Sequence, residues 1–113
     1  MQTKNLLDLM SLLKVLDADF ASAEDCRKVQ SLNPNNREDV IDAVKKLMLP
    51  EFASYPDATQ KRLLSLLHAA LADGDEDFAK LFDRLQMIFD SEVNDKRVFM
   101  GSVLAGLETG PTV

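Results

Sequence analysis

Residues 57–72 read DATQKRLLSLLHAALA, and the spacing of this stretch decides the fold class. Leu63, Leu64, Leu66, Leu67, Ala70 and Leu71 fall at the three- and four-residue intervals that stack side chains along an α-helix. Together they make the stretch apolar nearly all round, which predicts a central, well-buried helix. Asp57 suits its N-cap, with Gln60 at the reciprocal capping-box position. Gly74 suits a C-terminal cap.

The same period extends in both directions. Leu6, Leu9, Met10, Leu13 and Leu16 predict an amphipathic helix over 4–16, and Leu7, Leu12 and Val15 widen its apolar face. Ser22 can start a second helix that carries Cys26, Val29 and Leu32 and stops at Asn33, because a residue before proline avoids helical angles. Asn36 caps a third, with Glu38 and Asp39 in its positive first turn and Val40, Ile41, Val44, Leu47 and Met48 as its stripe. Pro50 is expected to close it, leaving 51–56 as a connector that carries Phe52 and Tyr55. A helix from about Asp75 to Asp90 would place Phe78, Leu81, Phe82, Leu85, Ile88 and Phe89 on one side. A last one runs from about Asp95 to Leu107 with Val98, Phe99, Val103 and Leu104. No stretch alternates like a strand. The expectation is an all-α, compact bundle of five to six antiparallel-packed helices forming a single helical domain over 1–113, with αα-hairpins at 37–71 and 57–90.

Composition limits the partners. At 113 residues and 46% hydrophobic, the chain can bury a real core. Its net charge of −6 repels phosphate backbones and anionic membranes, so neither direct nucleic-acid nor membrane binding is expected. A basic protein partner is favoured instead. The longest uncharged runs, 63–72 and 98–107, are ten residues each, against the roughly 20 that a membrane span needs. Cys26 is the only cysteine, which excludes an intrachain disulfide and suits a reducing, cytoplasmic setting.

No catalytic, cofactor or metal constellation emerges. His68 is the only histidine and has no carboxylate or thiol one turn away. Cys26 reads as a small structural side chain, although Arg27 and Lys28 adjoin it. The run 73–77, DGDED, imitates the start of a calcium loop. It then places Phe78 where the loop needs Gly and Arg84 where the bidentate Glu must stand. Gly101, Ala105 and Gly106 leave a small-residue groove for a close helix neighbour, within the monomer or in a homodimer.

Charge placement is the stronger signal. Residues 73–95 hold eight acids (Asp73, Asp75, Glu76, Asp77, Asp83, Asp90, Glu92 and Asp95) and two bases (Lys80 and Arg84), a net of −6. The other residues hold eleven of each sign, so the whole net charge belongs to this segment. Glu76, Asp83 and Asp90 recur at seven, on one face of the expected helix. They form the candidate docking surface, with Asp73, Asp75 and Asp77 beside them. Tyr55, the only tyrosine, lies in a loop next to Pro56, where an interface anchor or a ring packed over a helix end both fit. The expected function is a small non-enzymatic binding protein: an acidic, immunity-type inhibitor that neutralises a basic toxin or nuclease by direct contact. The likeness to immunity proteins is one of size, charge and helicity. The alternative is a structural or adaptor subunit that oligomerises through an apolar helix face.

Overall fold

Polar side chains ahead of apolar runs start several of the helices. The Ser22 hydroxyl accepts from the Asp25 amide at 3.1 Å, and Asn36 and Asp95 do the same for the Asp39 and Val98 amides, each at 3.1 Å. Each satisfies a donor that the first helical turn leaves free. The computed structural model describes residues 3–109. It contains α1 (Thr3–Leu13), which tightens into a 3-10 turn at Lys14–Leu16; α2 (Ala23–Val29); α3 (Arg37–Ala43); α4 (Leu49–Ala53); α5 (Asp57–Ala72); α6 (Ala79–Phe82); and α7 (Lys96–Glu108). The described residues form an all-α globule of 32 × 31 × 23 Å with no strand beyond an isolated bridge.

Pro50 does not end the third helix. The chain stays helical from α3 into α4 through a π-helical segment, Val44–Met48, and Pro50 sits in the first turn of α4. Proline has no N–H, and its ring crowds the carbonyl four residues back. The wider π turn lets the helix pass: the Leu49 amide reaches back five residues to the Val44 carbonyl. The 51–56 connector is therefore helical as far as Ala53.

The central helix is α7 and not α5. Phe99, Met100, Val103, Leu104 and Leu107 are all buried, and so are Ser102 and Gly106. The Ser102 hydroxyl donates back to the Val98 carbonyl at 3.1 Å. Val98 itself is exposed, on the outer side of the helix. α5 buries only Leu63 and Leu67; its other leucines are half-buried, so the helix lies on the flank of the core. Pro56, one residue ahead of Asp57, takes the cap position of α5 without a side-chain bond. Gly106 allows α7 to approach α3 and the π segment: a Cβ there would lie 2.9 Å from the Val44 Cβ. The small-residue groove is thus filled at Gly106 from within the chain.

The largest departure from the sequence reading is 75–90. Only one helical turn forms there, α6, and the expected second hairpin is absent. Acidic side chains compete for the amides that a helix would use. Asp73 Oδ1 accepts from Asp75 N at 3.0 Å, Glu76 Oε2 from Phe78 N at 2.9 Å and Asp77 Oδ1 from Ala79 N at 2.9 Å. Phe78 ends this series in the left-handed region, at φ 63°, although it is an aromatic residue and fully buried. Such a conformation persists where surrounding structure holds it. Gly74 follows the Asp73 C-cap of α5 but adopts no left-handed φ. The apolar residues still go inward: Phe78, Leu81, Ile88 and Phe89 are buried, and Phe82 and Leu85 are half-buried.

Candidate functional site

The acidic segment divides into two parts. The first is the turn 73–78. Arg97, in the first turn of α7, clasps it from behind: Nη2 donates to the Leu71 carbonyl at 2.6 Å, and Nη1 to the carbonyls of Asp73 (2.9 Å) and Glu76 (2.7 Å). A planar fork of donors suits this convergent set of oxygens. Asp73, Asp75, Glu76 and Asp77 line a pocket of about 270 Å³ with Lys80, over an apolar floor of Leu6, Phe78 and Leu81. The carboxylates of Asp73, Glu76 and Asp77 are engaged by amides of their own turn. Among the described residues, no three His, Cys, Asp or Glu side chains are grouped to hold a metal ion.

The second part, 83–95, has no regular secondary structure and is pinned along its length. Ile88 N donates to Leu16 O (3.1 Å), Ala18 N to Gln86 O (2.6 Å) and Asp90 N to Gln30 O (2.8 Å); Met87 forms a bridge with Asp17. Asn35 holds the far end twice, donating from Nδ2 to Glu92 O at 2.9 Å and accepting from Asn94 N at 2.7 Å. Below, the Phe82 and Phe89 rings meet Phe99 edge-on, with centroids 5.7 and 6.0 Å away. The loop is therefore an ordered platform tied to the α1–α2 region, the α2–α3 link and α7. A groove of about 450 Å³ opens on it, between half-buried apolar side chains and the exposed Asp90 and Glu92.

The heptad face does not exist as expected. Glu76, Asp83 and Asp90 share no helix: Glu76 is half-buried in the first turn, Asp83 is exposed at the end of α6 and Asp90 is exposed at the groove. The structure brings Asp73, Asp75, Glu76 and Asp77 to one pocket and Asp90 with Glu92 to another. Tyr55 lies apart from both, half-buried, with its ring edge-on to the buried Phe52 at 6.2 Å. Its carbonyl accepts from Gln60 Nε2 at 2.8 Å, so this connector packs over the start of α5. His68 on α5 meets Glu108 on α7 at 3.0 Å, exposed to solvent, and Cys26 is half-buried against the core.

Lys14–Glu51, Lys28–Asp25, Lys46–Asp42 and Arg62–Asp8 pair elsewhere at 2.6–3.6 Å. None of Asp73, Asp75, Asp77, Asp83, Asp90, Glu92 and Asp95 pairs with a cationic side chain among the described residues. Sequence reasoning found the charge but missed the contacts of Arg97 and Asn35, which join residues 21 to 59 positions apart and leave no local pattern, and it missed the groove, because it read 82–90 as helix. No protein-family model, curated protein or solved structure matches the chain.

Proposed function

We propose that this chain is a non-enzymatic cytoplasmic binding protein that presents the segment 73–95 to a basic protein, as an immunity-type inhibitor does to a toxin or nuclease. One observation carries the reading: the segment that holds the whole net charge is ordered and largely irregular outside α6, and Asp73, Asp75, Asp77, Asp83, Asp90, Glu92 and Asp95 in it pair with no cationic side chain among the described residues. Irregular loops of this length in a small fold are uncommon and tend to be functional, and binding residues concentrate on loops held by a rigid scaffold. Exposed carboxylates there set up a negative field that steers a cationic partner into contact. The oligomerising alternative lacks such support. The large exposed apolar side chains, Leu7, Phe20 and Val98, come from α1, the link after it and the start of α7, and form no stripe on one helix.

The test compares two baits in the native cell extract: the parent chain and a triple variant with Asp83→Lys, Asp90→Lys and Glu92→Lys. These three side chains make no hydrogen bond or ion pair among the described residues, so the variant should fold. The parent should retain a basic protein that the variant loses. Identical retention by both would contradict the reading.

A further inference from the structure

We infer that the groove on the loop 83–95 is an anchor site for one large apolar side chain that lies between cationic residues in an extended segment of the partner protein. The inference rests on the acidic-segment reading above and adds the partner's local chemistry to it.

Two properties coincide at this place. Phe82, Leu85, Met87 and Val93 are each half-buried and face one groove of about 450 Å³. That volume is within the range of roughly 300–1,000 Å³ typical of sites that enclose small ligands. Methionine among the walls can adapt to an incoming shape. The exposed Asp90 and Glu92 belong to the same lining, and neither carboxylate has a cationic partner among the described residues. The lining sets one cation, Lys96, against these two carboxylates, so an apolar occupant without charge would leave the groove net negative, and an acidic one would be repelled. A cationic occupant without an apolar side chain would leave the groove unfilled. A Trp or similar side chain flanked by Lys or Arg satisfies both conditions, and aromatic anchors seated in pockets are the residues that dominate interface energies. The groove already shows such a pairing: Lys96 Nζ sits 5.8 Å above the Phe82 ring centroid, a cation–π contact.

The experiment uses the isotope-labelled full chain at low ionic strength and three capped peptides, Lys-Arg-Trp-Arg-Lys, Lys-Arg-Ser-Arg-Lys and Glu-Asp-Trp-Asp-Glu. Affinities and amide shifts are read by NMR titration. The cationic Trp peptide should bind about tenfold or more tightly than its Ser counterpart, with shifts centred on 82–93. The acidic Trp peptide should bind at least about tenfold more weakly than the cationic one. Leu85→Gln should remove the advantage of Trp over Ser; if it does not fold, Val93→Gln takes its place. Equal binding of the two cationic peptides would overturn the anchor while leaving the acidic surface intact. Equal binding of the two Trp peptides would overturn the charge requirement. No binding by any peptide would overturn the anchor site, and the bait comparison above would still decide the acidic-surface reading on its own.

Discussion

Arg97 Nη1 lies 2.7 Å from the carbonyl oxygen of Glu76, twenty-one residues earlier, and the same guanidinium reaches the carbonyls of Asp73 and Leu71. This clasp joins the end of α5, the acidic turn and the start of α7. It caps the Leu71 carbonyl in the last turn of α5 and two carbonyls of the acidic turn beyond it. Hydrogen bonds that involve a charged partner are worth about 1.5–3 kcal/mol each when well shielded, and water takes over part of this at a half-exposed site. Arg97→Ala should therefore destabilise the fold by about 2–3 kcal/mol in urea titration. Amide exchange in 73–78 should speed up beyond the global change. Arg97→Lys should recover only part, because a point charge cannot fork to three carbonyls. Wild-type exchange in that turn would show that the clasp does not hold it.

The two glycines inside α7 should respond to alanine with opposite signs. Nothing lies within 4 Å of a Cβ built on Gly101, so Gly101→Ala should stabilise the protein, by roughly 0.5–1 kcal/mol. At Gly106 the new methyl would stand 2.9 Å from both Cβ and Cγ1 of Val44, atoms that cannot move aside without the π segment. Overpacking of this kind costs about 1–3 kcal/mol and outweighs the gain in helix propensity. A double-mutant cycle with Val44→Ala should show favourable coupling. Equal effects at both glycines would mean that the α7–α3 contact is looser than described.

These residues also mark how far the sequence could be read. Ser22 and Asn36 act as caps where they were expected, because a cap is a local property of a few residues. The helices over 4–16 and 57–72 follow from leucine spacing alone. The helical spacing of Phe78, Leu81, Phe82, Leu85, Ile88 and Phe89 reported burial correctly but conformation wrongly. It could not weigh Asp73, Glu76 and Asp77 turning onto their own backbone, or Gln30, Leu16 and Asn35 offering partners from far along the chain. For the same reason the charge of 73–95 was legible and its shape was not. Pro50 misled in the opposite direction, since a π turn carries the helix through it.

The acidic pocket at 73–77 should not bind calcium specifically. The carboxylates of Asp73, Glu76 and Asp77 are already engaged by the amides of Asp75, Phe78 and Ala79. The chain also lacks the loop glycine and the closing bidentate Glu that calcium loops use. Millimolar calcium should raise the melting temperature no more than the same ionic strength of sodium chloride. A saturable rise abolished by Asp75→Asn would reveal a site.

The central claim is that the exposed carboxylates of 83–95 steer a basic partner. Its most direct measurement is stopped-flow association with the retained protein, for the parent and for the variant with Asp83→Lys, Asp90→Lys and Glu92→Lys, across a salt series. Steering by exposed charge acts on encounter and fades as screening shortens to about 8 Å at physiological ionic strength. The account predicts that the variant associates slower by about one decade or more at low salt, that the gap closes as salt rises, and that both proteins melt alike. Equal association rates for parent and variant at every salt concentration would contradict it.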